Sequence, residues 1–219
     1  MVSQRKKDFL FQLVQPALGL LRLYYRIAWP LWSRGHRLRL HIGAGEDYLD
    51  SFINADINPL RKIDLWLDLS HRLPVPDGAI EGIYTLETLE HLYPDELERL
   101  LAECRRVMRP GGFLRIGVPN LARGVEAYAK PEPRWFPSWP RDYRSLGGKL
   151  SNFLMCDGQH RMVFDFSLLQ ELLDRAGFSE IERSARAESR WLEPAVLDLE
   201  RRSDTGEPPF LVYVEAKRP

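Results

Sequence analysis

Arg37-Leu38-Arg39-Leu40-His41-Ile42-Gly43-Ala44-Gly45-Glu46-Asp47, followed closely by Phe52-Ile53-Asn54-Ala55-Asp56, is the stretch that decides how this chain folds. Charged and apolar residues alternate into Gly-x-Gly, and a second apolar stretch ends on an acid. Glycines let a ligand lie against bare backbone, and a carboxylate at the carboxyl end of the next parallel strand is placed to hold ribose hydroxyls. The pattern predicts a doubly wound α/β domain opening on a nucleotide-type site. Alone, Gly-x-Gly fits an ordinary turn equally well. Where a dinucleotide site would place further glycines, Glu46 and Asp47 stand, and acids at a helix start repel a pyrophosphate. A ligand with ribose and adenine but no phosphate escapes that repulsion; the same acids also complement a helix dipole whatever binds.

Working outward, Ile63–Leu69 reads as a third strand. Asp68 stands either at the same crevice or in a loop, capping Ser70-His71. The turn Leu73–Gly78 leads into a fourth strand, Ile80–Thr85, with Thr85 and Leu86 at its mouth. From Pro94 a helix presents Leu97, Leu100, Leu101, Cys104, Val107 and Met108 on one face and stops at Arg109-Pro110-Gly111-Gly112. Phe113–Val118 is a fifth strand, closed by Pro119-Asn120. Residues 121–163 read as an irregular insertion where a substrate lid belongs. Its aromatics, Trp135-Phe136-Pro137-Ser138-Trp139-Pro140, suit stacking on a sugar or ring, or a small core of the insertion's own. A helix follows from Phe166, with Ser167 and Gln170 at capping-box spacing and Gly177 at its end. Strands around Phe178–Ser184 and Phe210–Ala216 flank a rim loop, residues 186–209.

With 219 residues, 44% hydrophobic content and 31 basic against 31 acidic groups, the chain supports one full core plus appendages. Zero net charge gives no electrostatic case for a nucleic-acid partner. Cys104 and Cys156 match no metal or redox spacing, and no metal-ligand set is read. The division is an N-terminal amphipathic helical extension, 1–35, and a domain, 36–219. In the extension Arg5, Asp8, Gln12, Gln15, Gly19, Arg22 and Arg26 share one helical stripe and the rest is apolar. The charge-free run Phe9–Leu21 falls short of the roughly 20 residues a bilayer span needs. Packing on the domain or on a second copy, and contact with a membrane surface, stand equally. Arg5-Lys6-Lys7, Trp29, Trp32 and Arg34 suit the interface, whereas a signal peptide fits least. The expected location is cytoplasmic, at most peripheral on the inner face of the membrane.

The runs Leu73–Tyr84, Leu89-Glu90-His91-Leu92 and Arg106-Val107-Met108-Arg109-Pro110-Gly111-Gly112-Phe113-Leu114 resemble class I S-adenosylmethionine-dependent methyltransferases. The likeness is strongest to the short-form group associated with cell-surface polysaccharide biosynthesis. It covers about residues 38–120 and, more loosely, Arg175-Ala176-Gly177-Phe178. The resemblance implies a Rossmann-like three-layer sandwich, with a seven-stranded, mostly parallel sheet whose last strand is antiparallel, and S-adenosyl-L-methionine as cofactor. It places Gly43, Ala44 and Gly45 at the methionine part, Asp56 at the ribose hydroxyls, Asp68 and Leu69 at the adenine, and Thr85 and Leu86 beside the cofactor's centre, with Ile42 and Ile57 also among the cofactor-binding residues. Two departures stand out: Gly45 to Asp56 leaves room for only a short first helix, and Asp47 replaces a third glycine.

The expected activity is methyl transfer to an oxygen or nitrogen nucleophile of a glycan, lipid-linked sugar or other small acceptor. The competing expectation is an inactive, methyltransferase-like scaffold at a membrane. His160, in Asp157-Gly158-Gln159-His160-Arg161, is the first candidate base and His91 the second. His91 also suits a structural part in starting the next helix, and Arg141 and Arg161 suit an acidic acceptor or plain solvation.

Overall fold

The computed structural model describes residues 17–30 and 38–219. Arg5, Asp8, Gln12, Gln15, the Arg5-Lys6-Lys7 cluster, Trp32 and Arg34 therefore lie outside the described residues. Residues 17–30 form a helix, α1. The strands are β1 (Arg39–Ile42), β2 (Ile53–Asp56), β3 (Leu65–Trp66), β4 (Ile80–Leu86), β5 (Met108–Pro119), β6 (Ser179–Ser184) and β7 (Leu211–Lys217). They form one sheet in the order β3-β2-β1-β4-β5-β7-β6. Every pairing from β3 to β5 is parallel, and β7 is antiparallel to both neighbours, as the family resemblance implies.

Period-two alternation sends the residues of each strand to two different cores. Leu40 and Ile42, Leu114, Ile116 and Val118, and Val212, Val214 and Ala216 face one side. There they meet α2 (Pro94–Val107) and α5 (Phe166–Arg175). Helix α2 forms because its apolar residues recur at helical spacing. Leu97, Leu100, Leu101, Cys104 and Val107 are all buried, each leucine contributing about 1.5–3 kcal/mol. At its start, Tyr93 N–H donates to Glu96 Oε2 at 3.0 Å. The opposite face packs Tyr84, Leu86, Phe113 and Tyr213 against Val196 and Leu199 of α6 (Pro194–Ser203).

That second face carries a row of polar side chains in register across four strands: His41 beside Tyr84, Tyr84 beside Arg115, Arg115 beside Glu215. Arg115 is fully buried and pairs in bidentate fashion with buried Glu200, both bonds 2.7 Å, and with Glu215 at 3.1 Å. Its remaining donors reach Ser184 Oγ and the carbonyls of Ala185 and Glu188. The guanidinium thus ties β5, β6, β7 and α6 together.

Several expectations are corrected. No helix follows the glycine bend: residues 43–52 are turns. The Asn54 side chain takes a helix's place, accepting from Leu49 N–H at 2.9 Å and donating to the carbonyls of Leu49 and Phe52. Glu46 and Asp47 hence complement no helix dipole; Glu46 pairs with Arg61 at 2.6 Å. The third strand is only Leu65–Trp66, because Asp64 turns its carboxylate onto Asn54 N–H at 2.7 Å. Residues 121–163 contain two helices, α3 (Leu121–Ala129) and α4 (Leu146–Met155), packed with the segment between them around a satellite core of Ala127, Trp135, Phe136 and Phe153. Residues 186–209 contain α6, whose periodicity is masked by four charged residues. The N-cap of α5 is Asp165, which accepts from Leu168 N–H at 2.8 Å; Ser167 lies inside the helix.

Helix α1 has two apolar faces. Leu18, Tyr25 and Trp29 point inward, Trp29 joining the main core and Tyr25 Oη accepting from Trp66 N–H at 3.3 Å. Leu20, Leu23, Tyr24 and Ile27 point outward and are exposed.

Candidate functional site

Parallel strands β1, β2 and β4 end at one edge of the sheet, and the chain reverses there without side-chain bulk. Gly43 and Gly45 have φ of +71° and +54°. At Gly43 a Cβ would lie 2.0 Å from Thr88 Oγ1, so only glycine fits. The bend is pinned to β2: the N–H groups of Gly43 and Ala44 both donate to Ala55 O, at 2.9 and 3.1 Å. Gly45 N–H donates to Asp56 Oδ2 at 2.9 Å, while Asn58 N–H donates to Oδ1 at 2.7 Å. Asp56 is half-buried, and each carboxylate oxygen keeps a further acceptor site.

Ile57 and Leu69 are half-buried at the same edge. The Asp68 carboxylate is turned onto its own loop, accepting from Ser70 N–H and Oγ at 2.9 and 2.7 Å. Thr85 and Leu86 are buried at the end of β4, and the Thr85 hydroxyl has no hydrogen-bond partner among the described residues. A buried hydroxyl without a partner is unfavourable, and a polar ligand at this edge would satisfy it.

Glu87 follows at φ +48°, a strained conformation for a side-chain-bearing residue, with its N–H on Gly117 O at 2.8 Å. Its side chain reaches solvent yet is crowded by protein. That crowding, then the carboxylates of Asp204 and Asp47, pushes its carboxyl up to about 7. Sequence reasoning missed Glu87. The available signal was an acid directly after an apolar strand, but its positive φ carries no sequence signature.

The 3₁₀ turn Leu89–His91 comes next and precedes α2. Residues 160–162 run beside it, Arg161 and Met162 donating to Glu90 O at 2.7 and 3.2 Å. Phe164 then bridges to Asn120 at the end of β5. His91 and His160 therefore meet at the carboxyl edge, ring centroids 5.2 Å apart. Burial, and then the neighbouring His91, lower His160 to about 4, so its imidazole is neutral at pH 7. Arg141 pairs with Asp157 at 3.0 Å within the insertion, and Arg161 lies over the Tyr93 ring at the start of α2.

Residues 51–116, from just before β2 into β5, match the family described as Methyltransferase domain. A probable S-adenosylmethionine-dependent methyltransferase of Mycolicibacterium smegmatis is 33% identical over 58 residues, 25% of this chain and 22% of that protein. The match thus spans under a quarter of that relative's length. Among solved structures, a SAM-dependent methyltransferase from Archaeoglobus fulgidus aligns with a TM-score of 0.54 at 19% identity, over 91% of this chain and 94% of that one. A phosphoethanolamine N-methyltransferase of Haemonchus contortus, in complex with S-adenosyl-L-methionine, aligns at 0.51 and 11% identity, over 84% and 49%. Residues 51–116 thus resemble a methyltransferase domain, and the seven-stranded sheet with its helices has the fold of the Archaeoglobus fulgidus enzyme.

Proposed function

We propose that the chain binds S-adenosyl-L-methionine at the Gly43–Gly45 bend and transfers its methyl group to an oxygen or nitrogen of a small acceptor, with a glycan or lipid-linked sugar as the class. The observation that carries this reading is the bend itself: two glycines at positive φ, pinned to β2, with the Asp56 carboxylate on the Gly45 N–H. When bound, the cofactor supplies a methyl already activated on a sulfonium, so the protein's work is to position, not to generate, the reactive group.

Gly43, Ala44 and Gly45 give close backbone approach to the methionine part, with Ile42 ending the strand beneath. Asp56, with Ile57, takes the ribose hydroxyls through its remaining acceptor sites, and Asp68 and Leu69 flank the adenine. Thr85 and Leu86 stand at the centre, and Glu87 sets a carboxylate near the sulfonium charge. His160 and His91 belong to the acceptor half of the site. Helices α3 and α4 stand beyond β5, where an acceptor enters and competing water must be excluded.

The outward face of α1 supports a lipid-linked acceptor. Leu20 and Ile27 are 73% and 72% exposed, Leu23 and Tyr24 lie beside them, and Arg22 and Arg26 flank the patch on a helix whose other face is already packed. The full chain is expected to co-sediment with vesicles containing anionic lipid. Leu20→Gln/Leu23→Gln/Ile27→Gln is expected to release it without lowering its melting temperature, since none of the three side chains is buried. Equal sedimentation of both proteins would remove α1 from any membrane role.

A further inference from the structure

Where β4 hands over to α2, three side chains from two distant segments converge: Glu90 and His91 from the 3₁₀ turn, and His160 from the end of the insertion. We infer that they form a binding site for one divalent transition-metal cation of the zinc type. One ligand atom from each lies within 4.8 Å of the others. His160 Nε2 stands 4.0 Å from Glu90 Oε1, too far for a hydrogen bond. Two ligands of a tetrahedral ion, each about 2.1 Å from the metal, are about 3.4 Å apart, so a small side-chain movement closes the site.

The histidines are held as metal ligands are. His160 Nδ1 lies 3.0 Å from Leu154 O, and His91 Nδ1 lies 3.2 Å from Gln159 O. A carbonyl only accepts, so in both rings the hydrogen is on Nδ1 and the lone pair on Nε2. A backbone partner on the far nitrogen is the usual way to orient a ligating imidazole. Glu90 supplies an independent observation. It is 1% exposed, and its Oε2 has no hydrogen-bond partner among the described residues. A buried carboxyl oxygen is not normally left without a donor or a cation.

Two imidazoles and one carboxylate are the donor set of zinc-type ions; magnesium and calcium prefer oxygen ligands throughout. Three protein donors leave a position open, at the edge where β4 and β5 end. An acceptor oxygen bound there would be oriented and acidified for methyl transfer. That role rests on the methyl-transfer reading; cation binding does not. His91 and His160 stand out in the sequence as candidate bases, but no spacing joins them with Glu90 as a ligand set, because the two halves lie on either side of α2, β5, α3 and α4.

The test uses the full chain, stripped with a chelator and titrated calorimetrically with Zn²⁺ alone, then with Co²⁺ alone while visible absorption is followed. The expected result is one Zn²⁺ per chain, a higher melting temperature, and the Co²⁺ absorption of a site with nitrogen and oxygen ligands. Glu90→Gln and His160→Asn are each expected to weaken Zn²⁺ binding at least tenfold. His91→Asn, at an exposed position, makes the same demand where a buried variant does not fold. No uptake at one equivalent, or unchanged affinity in the folded variants, overturns the proposal. Neither result bears on S-adenosylmethionine binding, which is measured without metal.

Discussion

Arg115→Met is expected to destabilise the chain by about 3–5 kcal/mol, the range for removing one partner of a buried ion pair. The arithmetic lies with Glu200 rather than with the lost arginine. Both groups are fully buried, and Glu200 gives both oxygens to the guanidinium. Without it, Glu200 retains only the Ala187 N–H, and Glu215 also loses a partner. A buried carboxylate left with one donor must ionise unfavourably or take up a proton. Urea unfolding of both proteins measures the difference. Arg115→Met/Glu200→Leu should recover part of it, since an apolar pair carries no desolvation penalty. A loss below about 1 kcal/mol would show that the pair does not hold β5, β6 and α6 together.

Gly43→Ala is expected to weaken S-adenosylmethionine binding by about 2–3 kcal/mol, roughly 30- to 150-fold. Two effects add. A φ of +71° is unfavourable for any L-residue with a Cβ by roughly 1–2 kcal/mol. The new methyl also meets Thr88, 2.0 Å away at Oγ1, and displaces the segment that follows β4. Gly45→Ala separates these effects: φ is +54°, but the nearest atom, Gly43 O, is 3.9 Å away, so only backbone strain remains. Its expected effect is about 1 kcal/mol. Equal affinities for Gly43→Ala and wild type would move the cofactor away from the bend.

The centre of the sheet was legible because β1, β2 and β4 are short, largely apolar runs bounded by glycine or proline turns. The fit at Gly43–Gly45 and at β4 follows from that punctuation, whereas α2 ends at Val107 and Met108 through Gly112, read as the end of the helix, belong to β5. What was not legible has physical causes. A helix after Gly45 was expected from the fold's habit, yet the Asn54 side chain satisfies the same backbone groups in a turn. Helices α3 and α4 were hidden by the Trp- and Pro-rich segment between them, and α6 by its charges. The buried row on the second sheet face was half visible in Arg39 and His41. Its continuation through Tyr84, Arg115 and Glu215 depends on strand register, which no local pattern fixes. Likewise, Glu90 stood out only within the Leu89-Glu90-His91-Leu92 run, and only the fold brings His160 to it.

The most direct test of the central claim is calorimetric titration of the full chain with S-adenosyl-L-methionine and with S-adenosylhomocysteine. The expected result is one saturable site for each per chain, weakened by about 1–3 kcal/mol in Asp56→Ala, the order for lost hydrogen bonds to a partly buried carboxylate. A chain that is folded by circular dichroism, yet gives neither heat nor a thermal shift with either compound, would contradict the account.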